Sequence, residues 1–162
     1  TSITQFLWRD AYHKLVLIAF QRHDKWKPDR GQALDALSGS PFIFHAQETL
    51  LRDIWVRLVQ SHDFIVCPHG HGWDTHRHWE VLLLGSVPIV KSSPLDEMFR
   101  DLPVLILAEW GDLTVQLLRE WQASDASKNS INAALFPYWH KRLIEAKKEA
   151  LKFSAQLHLE DA

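Results

Sequence analysis

Residues 64–90 read Phe64-Ile65-Val66-Cys67-Pro68-His69-Gly70-His71-Gly72-Trp73-Asp74-Thr75-His76-Arg77-His78-Trp79-Glu80-Val81-Leu82-Leu83-Leu84-Gly85-Ser86-Val87-Pro88-Ile89-Val90. The short apolar run 64–67, rich in β-branched residues, predicts a buried strand. Two glycines one residue apart then let the backbone take positive φ and approach a ligand closely. Asp74 or Thr75 is the natural N-cap of a helix over 75–84. Gly85 ends that helix, and 87–90 is a second strand. A helix opening straight after a glycine loop offers free N–H groups and a dipole that favour a phosphate. The same pattern also describes a plain strand-to-helix turn, so the loop alone leaves both readings open.

Outward from this stretch, strand and helix alternate at short intervals. A short helix is expected at 95–100, a strand at 104–107 and a helix at 113–120. This alternation is the signature of crossover units on a parallel sheet. Upstream, 47–60 has an amphipathic helical pattern, with Leu50, Leu51, Ile54, Trp55, Leu58 and Val59 on one side. Phe42-Ile43-Phe44 fits a short strand, 23–31 a polar loop punctuated by Pro28 and Gly31, and 4–23 a helical stripe. After a polar break at 124–130, a terminal helix is expected over 137–157, with Pro137 in its first turn. Trp139, Leu143, Ala146, Ala150, Phe153 and Leu157 keep helical spacing along it. The fold class expected is α/β: a Rossmann-like parallel sheet flanked by helices, forming one domain over 1–162, its core at about 42–121.

With 162 residues the chain can bury a real core. A composition of 46% apolar and 23% charged residues with net charge −2 is ordinary for a globular protein. It carries no electrostatic footprint for nucleic acid. One cysteine excludes an internal disulfide framework. No apolar run reaches the ~20 residues of a membrane-spanning helix. The chain starts with Thr1 rather than Met, which points to a fragment or a processed product.

Within 64–90, Arg77 falls in the first turn of the expected helix, where a cation opposes the dipole and calls for a partner, either a phosphate or a carboxylate. Glu80 follows on the same face and can accept two hydrogen bonds from ribose hydroxyls. An Arg77–Glu80 ion pair is the structural alternative. The apolar run 81–84 predicts that this helix is buried. His69, His71, His76 and His78 suggest zinc, but helical neighbours two apart diverge by about 200° and do not converge on one ion. Some of these imidazoles can instead bond phosphate. Lys91 and Ser92 leave the second strand at its carboxyl end, the edge where open α/β folds bind ligands. A solvated loop capping the helix at Leu95 is the alternative there. Trp110 fits the core better than a base-stacking role, and Cys67 reads as a small buried hydrophobe.

The run from Phe64 to Glu80, with Leu84-Gly85-Ser86-Val87-Pro88-Ile89-Val90, resembles the C-terminal donor-binding half of exostosin-type glycosyltransferases. Ser93-Pro94-Leu95-Asp96-Glu97-Met98-Phe99, Leu102-Pro103-Val104-Leu105 and Glu109-Trp110 follow in the same order, and the likeness spans about 50–121. It implies a GT-B fold with its N-terminal acceptor-binding half absent from this chain. It also implies a nucleotide-sugar donor, a UDP-sugar by expectation, and a glycan acceptor. Gly70, His71, Gly72 and Thr75 would then face the diphosphate, Arg77 would stand near phosphate, and Glu80 would hold the ribose. His69 and His71 depart from the Arg or Asn expected at those places. Adding Asp74, Lys91 and Ser92 completes the expected donor-binding set. No catalytic residue is assigned, and neither a metal nor a cofactor is expected. Eukaryotic relatives are typically lumenal Golgi enzymes held by an anchor that this chain does not carry. Two further readings stay open: a non-catalytic nucleotide-sugar-binding remnant, and a histidine-rich metal protein.

Overall fold

The computed structural model describes residues 15–25, 27–46 and 50–160, with side chains as far as residue 152. Its elements in chain order are β1 (Val16–Ile18), α1 (Pro28–Leu37), β2 (Ile43–His45), α2 (Arg52–Gln60) and β3 (Phe64–Val66). They continue with α3 (His76–Leu83), β4 (Val87–Lys91), α4 (Asp96–Phe99), β5 (Leu105–Leu107), α5 (Val115–Ala123) and α6 (Phe136–Glu160). The strands form one five-stranded sheet in the order β2-β1-β3-β4-β5, and every pair is parallel. This is the expected Rossmann-like α/β architecture. Its order places the topological switch point between β1 and β3.

Alternation along the strands builds two cores. Val16, Ile18, Phe64, Val66, Ile89 and Leu105 point to the face covered by α1 and α5. Leu17, Ile65, Cys67 and Val90 point to the face covered by α2, α3 and α4. Because successive side chains change face, both sides of each central strand are dry, which is why these strands read as unbroken apolar runs. Cys67 is fully buried, and its thiol is pushed up to about 12 by burial, with the nearby Arg77 charge opposing.

The structure corrects the sequence reading at its amino-terminal end. Of the stripe expected to be helical over 4–23, residues 4–14 lie outside the described residues, and Val16–Ile18 is a strand. The run Leu15–Phe20 is apolar at every position, so it satisfies either period, and burial between two helix layers selects the strand. The expected loop at 23–31 closes into α1, whose first residue is Pro28. Proline suits that position because its missing N–H would have no helical partner there. Of the helix expected at 47–60, residues 47–49 lie outside the described set, and α2 begins at Arg52. It buries Trp55 and Val59 but leaves Leu51 and Ile54 exposed.

The helix expected at 75–84 is found as α3, yet it is half-buried rather than buried throughout. Val81 and Leu82 are in the core, while Leu83 is 61% exposed. Its end is a Schellman turn: Ser86 N–H donates to Val81 C=O and Gly85 N–H to Leu82 C=O, both at 3.1 Å. Gly85 takes φ +86°, where any other residue would be strained. In α6, residues 141–152 are exposed throughout, and its first turns are held by Tyr138 donating to Asp101.

Candidate functional site

The carboxyl ends of β1 and β3 open side by side at the switch point. The chain leaves β3 through Cys67-Pro68-His69-Gly70-His71-Gly72 and enters α3 one turn later. It leaves β1 through Ala19 and Phe20 and enters α1 at Pro28. Two helix starts therefore flank this crevice.

The loop after β3 is held by Asp29 on the first turn of α1. This buried carboxylate accepts the His69 N–H at 2.7 Å and the Trp110 Nε1–H at 2.8 Å. One side chain thus ties together the exits of β1, β3 and β5. Trp110 is 2% exposed, which places it in the core and leaves it no room to stack on a base. The imidazole of His69 lies 3.6 Å from the same carboxylate and edge-on to Trp73, which is itself half exposed.

Neither Gly70 nor Gly72 takes a positive φ, which corrects the reason given for the two glycines. At Gly70 the constraint is space: a Cβ would stand 2.8 Å from Cγ2 of Thr75. Gly70 N–H donates to Gly72 C=O at 3.1 Å, closing the loop on itself. A Cβ at Gly72 would meet ordinary contact distances. Thr75, not Asp74, is the N-cap of α3. Its N–H donates to His78 Nδ1 at 3.0 Å, so histidine takes the part that Glu or Gln plays in a capping box. Asp74 instead accepts the Trp79 indole N–H at 3.0 Å.

His78 is fully buried and stacks on Phe99. Burial lowers its pKa from 6.5 to about 4, so the ring is neutral near pH 7. With Nδ1 accepting from Thr75, Nε2 carries the proton, and that N–H finds no acceptor. His71 and His76 are exposed, and His69 turns to Asp29. The four histidines diverge, and among the described residues no three His, Cys, Asp or Glu side chains gather around a point fit for a metal ion.

Arg77 does not have the carboxylate partner that was its structural alternative. Its Nη1 donates to the Ala19 carbonyl at 2.6 Å, and its guanidinium lies 4.6 Å from the Trp55 ring centroid. Glu80 is paired across the surface with Arg52 at 2.6 Å, not with Arg77. Burial lowers the Arg77 pKa; Cys67 and Glu80 oppose that lowering, and the positive charge of Arg30 adds to it. The N–H groups of His76 and Arg77 at the start of α3 find no acceptor among the described residues, and such groups suit an anion.

Lys91 and Ser92 reach the same sheet edge one strand further along, as expected, but both are engaged. Lys91 pairs with Glu109 at 2.6 Å. Ser92 Oγ donates to Asp96 at 2.6 Å, and Asp96 also accepts the Ser93 N–H, forming the lead-in to α4.

Three residues here escaped the sequence reading: Asp29, Arg30 and Trp73. The first two follow an apolar run and a proline. Once Leu15–Phe20 is seen as a strand, that proline marks a helix start at the ligand edge. Searched against protein-family models and against curated proteins, the chain matches none.

Proposed function

We propose that this chain binds the donor of a glycosyl transfer, a nucleoside-diphosphate sugar, in the crevice between the β1 and β3 exits. One observation carries the reading. Arg77, largely removed from water in the first turn of α3, has no carboxylate partner and stands beside free helix-start N–H groups at the switch point. A half-buried cation placed against the helix dipole is costly on its own and favourable beside a phosphate. The resemblance of about 50–121 to the donor half of exostosin-type enzymes supplies the rest.

In this reading the diphosphate lies against the Gly70–Gly72 loop and Arg77. Glu80, whose side chain is 22% exposed, accepts from the ribose. The exposed face of Trp73 offers the base a surface. Transfer forms a bond from an acceptor hydroxyl oxygen to the anomeric carbon and breaks the bond from that carbon to phosphate oxygen. The nucleoside diphosphate leaves with the electron pair, and the developing charge is met by Arg77 and the helix start. The acceptor proton goes to a base that this chain is not asked to supply.

Calorimetric titration with UDP and UDP-sugars, with and without chelator, tests this. We expect saturable binding that ignores chelator and falls about tenfold in Glu80→Ala. The Arg52–Glu80 pair is exposed at its arginine end, so the variant should stay folded. A folded wild-type chain that binds no nucleoside diphosphate contradicts the proposal.

A further inference from the structure

We propose that Arg30 and Arg77 form a two-guanidinium clamp on the doubly charged diphosphate bridge, with Arg30 the half that lies outside the 64–90 motif. The inference rests on reading the crevice as the diphosphate site.

The two arginines stand on the first turns of α1 and α3, the two helices whose starts flank the crevice. They rest on consecutive residues of the β1 exit. Arg77 bonds the Ala19 carbonyl, and Arg30 lies 5.9 Å from the Phe20 ring centroid. Each is only partly exposed. Nε of Arg30 is buried without an acceptor, and the Arg30 charge is felt at Arg77.

What marks them out is the distribution of partners. Arg22, Arg52, Arg100 and Arg142, all well exposed, each have a carboxylate within ion-pair distance. Arg57 and Arg119 have none, but both are exposed, and water solvates them. Among the described residues, the two arginines least accessible to water are thus a like-charged pair with no carboxylate at ion-pair distance; the Glu80 charge reaches Arg77, but Glu80 is itself paired with Arg52. A chain complete in itself pairs its buried charges first. An anion between the two reverses this: it replaces repulsion by two charge-assisted, fork-shaped contacts. A diphosphate, with one negative charge on each phosphoryl group and several acceptor oxygens, matches two guanidiniums in charge and geometry. A carboxylate, with a single negative charge, would leave half of the positive charge uncompensated.

Titration of the full chain with inorganic pyrophosphate and with UDP tests the clamp, using wild type, Arg30→Gln, Arg30→Lys and Arg77→Gln. The wild type should bind both ligands. Arg30→Gln should weaken both by about tenfold or more, with part of the loss recovered in Arg30→Lys. Ligand-free Arg30→Gln should melt no lower than wild type, because it removes a repelling charge. A purely structural arginine would not give that combination. Unchanged pyrophosphate affinity in Arg30→Gln overturns the clamp. So does an Arg30→Gln chain too unstable to titrate together with full pyrophosphate affinity in Arg30→Lys and Arg77→Gln. The outcomes separate from the wider proposal. UDP binding that ignores Arg30 removes the clamp and leaves the nucleotide reading. Pyrophosphate binding through both arginines, with UDP held no tighter, leaves the clamp and removes the nucleotide reading.

Discussion

Single side chains decide how firmly the crevice is built. Asp29 satisfies two donors that have no other acceptor in the interior. Asp29→Ala leaves the His69 amide and the Trp110 indole unpaired. At about 1–3 kcal/mol for each stranded donor, it should destabilise by about 3 kcal/mol in urea unfolding. Asp29→Asn keeps one acceptor oxygen and should cost roughly half as much. His78 makes the fold sensitive to acid. Its folded pKa of about 4 lies below the ordinary 6.5, so the unfolded chain binds the proton more readily. The stability owed to neutral His78 is therefore complete above pH 6.5 and is lost as pH falls toward 4. The gap corresponds to at most about 3 kcal/mol. Urea midpoints measured from pH 7 to 4 should fall, and that part of the slope should be absent in His78→Gln, whose amide oxygen can still accept from Thr75. An unchanged slope would remove His78 from the account.

Among the elements, the strand–loop–helix of 64–83 was legible because each part gives an independent signal: a β-branched run, paired glycines, a threonine cap and a terminating glycine. What the residues alone did not reveal was why the first glycine is there. Positive φ was the natural expectation, but the structure calls for space beside the methyl of Thr75, whose hydroxyl is fixed against His78. The two glycines should therefore respond differently. Gly70→Ala forces the N-cap of α3 to shift and should cost about 1–2 kcal/mol while weakening nucleotide binding. Gly72→Ala should be close to neutral in thermal melting. Equal effects at both positions would show that the cap contact does not govern the loop. The strand β1 and helix α1 were missed for a different reason. Six consecutive apolar residues carry no period, and Pro28 with Gly31 signals a loop as readily as a helix start. The side of the sheet that contributes Asp29 and Arg30 was therefore hidden.

For the whole molecule, the β3–β4–β5 side of the sheet could be read from alternation alone. The strand order could not be read, because it depends on β1 lying between β2 and β3. That order turns a phosphate-sized turn into a crevice with two walls, since the switch point exists only where the chain reverses its direction of winding. Lys91 and Ser92 lie beyond it, occupied by Glu109 and Asp96. The central claim is that a nucleoside diphosphate occupies this crevice, and amide chemical-shift mapping of the labelled chain during titration with UDP tests it most directly. The account predicts saturable shifts confined to Ala19–Phe20, Asp29–Gly31 and His69–Arg77, with the β5–α5 side and α6 unmoved. Shifts centred elsewhere, or none at millimolar UDP in a folded sample, would contradict it.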